Sequence, residues 1–174
     1  MSSTKPHPLN RKNVSKTLVS NIKKQVIDSF YTAARKSAKL ASLRLNRLDA
    51  NSLDNPKVYK EFKSVTKLVE KAAMAFDSAN KKSKSKKYWG IAATLHLQML
   101  MEGLRDSEKS ELKLKERTEN AISALKAAKR SSDMSIFATA VSTAENVLKL
   151  YNSDIAKADT RLQELINVLK KSER

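Results

Sequence analysis

The sequence contains no cysteine, and it has 2 glycines, 3 prolines and 5% aromatic residues in a chain of 174 residues. The absence of cysteine excludes disulfides, thiolate nucleophiles, iron–sulfur clusters and cysteine-ligated zinc. The scarcity of glycine and proline makes turn-rich sandwiches and glycine-looped nucleotide-binding folds poor fits, because both depend on tight turns. These absences favour a chain built of long helices.

Long uninterrupted apolar runs are also lacking. The nearest stretch, Trp89 to Leu104, contains His96, Gln98 and Glu102, whereas a membrane span needs about 20 apolar residues in succession. We therefore expect no transmembrane segment. Residues 1–48 carry 11 basic side chains and one acidic side chain, which leaves organellar targeting open beside an intracellular, cytoplasmic or nucleic-acid-associated location.

Side-chain groups that perform catalysis are scarce as well. The two histidines, His7 and His96, fall in separate predicted segments, so they do not suggest a metal site or a proton relay. His96 interrupts an apolar helix and is predicted to be a hydrogen-bonded core residue. No nucleophile elbow, phosphate-binding glycine loop or zinc-protease motif occurs. We expect a protein that is not an enzyme and needs no cofactor or metal.

Apolar residues recur at steps of 3 and 4 along most of the chain, which is the spacing of one helix face. The predicted fold is all-α, an antiparallel bundle of about four long helices with coiled-coil-like packing. On the first helix, the apolar face includes Val19, Ile22, Val26 and Phe30. Four helices are predicted. They are residues 14–48, a helix from Pro56 behind a cap by Asp54 or Asn55, a third over 88–128 that is either continuous, which we favour, or broken near Gly103 to Ser107, and a fourth over 133–171 capped by Ser132 and Asp133.

The strongest periodicity lies in the last predicted helix. Its apolar residues follow alternating steps of 4 and 3, the heptad spacing of coiled coils, and the helix would be about 55 Å long. This face is either part of the core or a contact with another chain, and we expect a homo-oligomer. The heptad positions are Phe137, Val141, Ala144, Leu148, Tyr151, Ile155, Ala158, Leu162, Leu165 and Leu169.

Domain organisation follows from the charge distribution. We predict a flexible basic arm over residues 1–12 and a single helical-bundle domain over 13–174. The net charge is +17 overall, of which +9 lies in residues 1–49 and +6 in residues 50–90. Residues 13–90 are therefore the basic half, and residues 91–174 are a near-neutral scaffold half. An excess of this size indicates a polyanionic partner.

Basic side chains of the first half form three groups that we predict to contact phosphates. Lysines recur at steps of 3 and 4 on the face of the second helix opposite its apolar residues. A second group crowds the predicted connection at 80–87, just before Tyr88, and a third lies on the first helix. The predicted nucleic-acid-binding residues are Lys57, Lys60, Lys63, Lys67, Lys71, Lys81, Lys82, Lys84, Lys86, Lys87, Arg35, Lys36, Lys39, Arg44, Arg47 and, for stacking on unpaired bases, Trp89.

These observations predict a non-enzymatic nucleic-acid-binding protein that contacts the phosphate backbone of RNA or DNA. Sequence specificity should be weak, because lysine is a point charge without the two-pronged geometry with which arginine reads bases. The alternative is a helical structural or adaptor protein whose C-terminal heptads assemble with an acidic protein or an anionic membrane. The basic run at 81–87 also fits a nuclear-import signal or a solubilising loop.

Overall fold

The computed structural model describes residues 8–104, 111–150, 167–168 and 171. This part of the chain holds five α-helices and a short 3₁₀ helix and no β-strand, which confirms the all-α prediction for it. None of its helices combines the length and hydropathy of a membrane span. The elements are α1 (Pro8–Asn46), the 3₁₀ helix (Ala50–Ser52), α2 (Pro56–Ser78), α3 (Lys82–Leu104), α4 (Glu111–Ser131) and α5 (Met134–Leu150).

Two helices begin at the caps that the sequence predicts. The Asn55 side chain accepts a hydrogen bond of 2.9 Å from the backbone N–H of Lys57, and Pro56 occupies the first turn of α2. The Asp133 carboxylate accepts hydrogen bonds of 2.9 and 3.1 Å from the N–H groups of Ser135 and Ile136. Each cap satisfies N–H groups that have no partner within the helix and stabilises it by about 1 kcal/mol.

One core joins all five helices. Phe62 of α2, Leu100 of α3, Leu125 of α4 and Phe137 of α5 are each at most 5% exposed and belong to a single cluster, which Ala41 of α1 also enters. Burying a side chain of this size stabilises the fold by about 2 kcal/mol. The helices are therefore held together by a shared apolar interior.

Of the two predictions for residues 88–128, the favoured continuous helix is wrong, and the alternative with a break near Gly103 to Ser107 agrees with the end of α3 at Leu104. This segment contains two helices, α3 and α4, which pack against each other more extensively than any other pair in the described chain. A single straight helix cannot pack on itself, whereas two helices side by side bury both of their apolar faces. The described part therefore has five helices where about four were predicted.

The lysine-rich segment at 80–87 is mostly helix and not the predicted connection. Helix α3 begins at Lys82, and the chain reverses between α2 and α3 through Asn80, whose φ of 59° lies in the left-handed region. Ser85 is buried, and its hydroxyl donates a hydrogen bond of 2.8 Å to the Ala73 carbonyl of α2. This contact anchors the first turns of α3, and lysine itself is a good helix former.

Both ends of the chain differ in part from the predictions. Helix α1 begins at Pro8, so residues 8–12 of the predicted arm are helical, while residues 1–7 lie outside the described residues. In the C-terminal heptads, Phe137, Val141 and Ala144 are buried. The later heptad positions, from Tyr151 to Leu169, lie outside the described residues.

Helix α1 is longer than the helix against which it packs. Its 39 residues span about 58 Å and the 23 residues of α2 about 35 Å. The two helices contact each other from Arg44, beside Glu61, to Tyr31, beside Phe76 near the end of α2. The earlier part of α1 extends beyond α2. Its predicted core-facing residues are consequently 42% to 51% exposed; they are Val19, Ile22, Val26 and Phe30.

Candidate functional site

An open groove of about 740 Å³ lies between α1 and the first turns of α3. One wall carries Arg35, Lys36 and Lys39 from α1, and the other carries Lys84 and Lys87 from α3. All five side chains are exposed, and no acidic residue lines the groove. We call this feature the basic groove. Its two cationic walls come from segments 45 or more residues apart in the chain, which the bundle brings together.

Between the cations the lining of the basic groove is mostly apolar, with the hydroxyl side chains of Thr32 and Ser42 as its polar members. Ala38 and Leu43 contribute from α1, Phe76 from α2 and Tyr88 from α3. The Phe76 and Tyr88 rings are stacked with their centroids 5.1 Å apart. Because Phe76 is buried and packs against both neighbouring helices, it fixes the position of this lining. The groove therefore combines a positively charged rim with an apolar surface.

Tyr31 precedes the groove residue Thr32 on α1 and contacts cations of both walls. Its hydroxyl accepts a hydrogen bond of 3.0 Å from Lys84 Nζ. Three cationic groups lie near its ring: Lys84 Nζ is 5.0 Å, Lys81 Nζ 5.5 Å and the Arg35 guanidinium 5.7 Å from the ring centroid. The hydrogen bond and charge of Lys84 lower the pKa of Tyr31 below its ordinary value of 10.0. The aromatic ring offsets part of the repulsion among these cations.

The lysine stripe of α2 forms a separate surface. Lys57, Lys60, Lys67 and Lys71 are exposed, as expected for the face opposite the core, and none of them lines the basic groove. Lys63 is partly buried and forms an ion pair of 3.6 Å with Glu116 of α4. The structure thus separates the stripe from the cations of α1 and α3.

The remaining predicted residues have different surroundings. Lys82 and Lys86 are exposed on α3, and Arg47 is exposed just after α1. Arg44 is partly buried; it pairs with Glu61 at 2.5 Å and donates a hydrogen bond of 3.1 Å to the Ser64 hydroxyl. Its role is to join α1 to α2, which leaves it less available to a ligand.

Trp89 is a core residue and not a stacking platform. It is 7% exposed and belongs to the main apolar cluster. The guanidinium of Arg130 lies 4.6 Å from the centroid of its ring. The ring of Trp89 is too buried for a base to stack on it, so the predicted base-stacking role of this residue is wrong.

His96 occupies the core, as the sequence predicts. It is 8% exposed, and its Nε2 lies 2.5 Å from the Glu70 carboxylate of α2. A similar polar contact joins α2 to α4, where Asn120 donates a hydrogen bond of 2.8 Å to the Tyr59 hydroxyl. Burial raises the pKa of Tyr59 to about 12. These contacts hold the scaffold together and lie apart from the basic groove.

Neither the contacts of Tyr31 with the groove cations nor the place of Leu43 in the groove lining was predicted from the sequence. Tyr31 lies one helical turn before Arg35 on the same face, a spacing that brings an aromatic ring and a guanidinium together. For Leu43 no sequence signal exists, because its position at the groove depends on where α3 begins.

No protein-family model, curated protein or solved structure shows significant similarity to this chain.

Proposed function

We propose that this chain is a non-enzymatic nucleic-acid-binding protein and that the basic groove is its principal contact with the phosphate backbone. The observation that carries the proposal is the convergence of five exposed cations from α1 and α3 on one acid-free groove. Like charges at this density repel one another, and a bound polyanion would relieve that repulsion.

A polymer of phosphates fits the groove better than a single small anion does. The cations are distributed along two walls and do not converge on one point, and four of the five are lysines. Lysine neutralises phosphates without reading base edges. We therefore propose weak sequence specificity, for RNA or DNA.

The exposed lysines of α2 have a secondary role in this proposal. They do not line the basic groove, and one member of the predicted stripe, Lys63, is paired with Glu116. Such a face attracts a polyanion at long range and strengthens non-specific association.

The test is fluorescence-anisotropy binding to labelled RNA and DNA across a salt series, with the mass of the protein measured in parallel. Binding that falls steeply with salt and persists near physiological ionic strength supports the proposal. Absence of binding to both RNA and DNA, or loss of binding by about 0.1 M salt, would reduce the charge to a general attraction for anions.

We further propose that the helices form an antiparallel bundle with coiled-coil-like packing and that the protein is a homo-oligomer within the cell. Two contacts support an antiparallel arrangement of α1 and α2. Arg44, late in α1, contacts Glu61, early in α2, whereas Tyr31, earlier in α1, contacts Phe76 near the end of α2. The buried heptad residues of α5 support packing of this type.

The second candidate is a helical structural or adaptor protein that binds an acidic protein or an anionic membrane. The exposed apolar residues of α1 favour it, because a face such as Val19, Ile22 and Val26 is usually covered by another surface. Ile22→Asp and Val26→Asp would lower the mass in solution if this face joins chains. A monomeric mass for the unaltered protein would count against this use of the α1 face and equally against the proposed homo-oligomer.

A further inference from the structure

We propose that the basic groove takes single-stranded nucleic acid, with phosphates against its cationic walls and a base against its apolar lining. This inference rests on the proposed function, and it adds the strandedness of the ligand. Three features of the groove support it: its size, its lining and the arrangement of its charges.

The size of the groove excludes a duplex from its interior. Its volume of about 740 Å³ falls within the range of pockets that enclose a drug-sized molecule, roughly 300–1,000 Å³. A duplex is much wider than such a pocket, since its major groove alone measures about 12 Å across. In contrast, a nucleotide of a single strand is about as large as a small-molecule ligand, so a short stretch of one strand fits in the groove.

The apolar lining can stack against unpaired bases but not against the bases of a duplex. Leu43 is 49% exposed at the groove, and Tyr88 is partly exposed beside Lys87. In a duplex the base faces are already stacked on one another, so an apolar surface gains no contact with them. An unpaired base has a free face, which stacks on aromatic and apolar side chains in a sequence-tolerant manner.

The charges face each other across the opening. Arg35 and Lys39 lie one helical turn apart on α1, and Lys84 and Lys87 stand on the opposite wall. A strand lying between the walls would be neutralised from both sides. A duplex resting on the rim would reach the outer cations alone and would leave Leu43 without a contact.

The test compares a labelled single strand of oligothymidine with a duplex of the same length, and it uses two variants that keep the charge. Leu43→Ser removes exposed apolar surface inside the groove. Leu40→Ser is the matched control, because Leu40 is 47% exposed on the same helix and does not line the groove. Circular dichroism verifies that both variants keep the helical content of the parent.

We expect the single strand to bind more tightly than the duplex at equal salt. Leu43→Ser should weaken single-strand binding by about three- to tenfold, the range for loss of one apolar contact, and Leu40→Ser should leave it unchanged. Duplex binding that equals or exceeds single-strand binding, with no effect of Leu43→Ser, would overturn the inference while leaving the proposed function in place. Failure of both ligands to bind would overturn the proposed function itself, and the inference with it.

Discussion

Removing two cations from the basic groove should weaken nucleic-acid binding by an amount that the structure predicts. Lys39 and Lys87 lie on opposite walls, and both are exposed. Changing both to glutamine removes two positive charges and leaves the core untouched. Exposed substitutions of this kind alter the free energy of unfolding by about 0.5 kcal/mol or less.

The magnitude follows from counterion release. Each phosphate contact with a single strand contributes about −0.7 to the slope of log affinity against log salt concentration, so five contacts predict a slope of about −3.5. Loss of two contacts should reduce the slope to about −2.1. At about 0.1 M salt the same loss corresponds to roughly 25-fold in affinity, or about 2 kcal/mol.

The control must have the same net charge. Lys67→Gln with Lys71→Gln removes two charges from the exposed stripe of α2, outside the groove. We expect this variant to lose much less affinity in anisotropy titrations and to keep the parent slope. Equal losses in the two double variants would refute the assignment of the principal contact to the groove, because overall charge would then suffice.

Three further predictions concern the site and the scaffold. Lys84→Met should raise the pKa of Tyr31, since it removes the hydrogen bond and charge that lower it; ultraviolet titration measures this, and an unchanged pKa would contradict the contact. Leu125→Ala should destabilise the fold by about 3 kcal/mol in urea unfolding because Leu125 is fully buried; a loss below about 1 kcal/mol would argue against its place in the core. Gly90→Ala should stabilise α3 by about 0.5 kcal/mol in the same assay, because the new Cβ meets only the terminal methyl of Ile136 at 3.2 Å and the Ser131 Cβ at 3.7 Å; destabilisation would show that Ile136 cannot move.

The sequence predicted the features that depend on local chemistry. The spacing of Phe62, Val65 and Val69 defined the buried face of α2, and all three are buried. Asn55 and Pro56 marked the start of that helix, because caps and first-turn prolines act within one turn of the chain. The exposure of Lys67 and Lys71 followed from the same periodicity.

Features that depend on distant parts of the chain could not be predicted in this way. Periodicity continues across a break when the helices on both sides have apolar faces, so it did not decide between a continuous helix and a break near Gly103 to Ser107. Lysine runs occur in loops and in helices alike, and it is the hydrogen bond from Ser85 to Ala73 that holds the start of α3 against α2.

By itself, the sequence predicted an all-α fold, which the described residues have, and a basic first half, because helix periodicity and charge are properties of neighbouring residues. The tertiary structure alone decided which cations stand together. It joined Arg35, Lys36 and Lys39 to Lys84 and Lys87, set the α2 stripe apart and placed Trp89 in the core. The physical reason is that packing of apolar faces fixes which helix surfaces meet, and the charged side chains on those surfaces take positions that their own pattern does not specify.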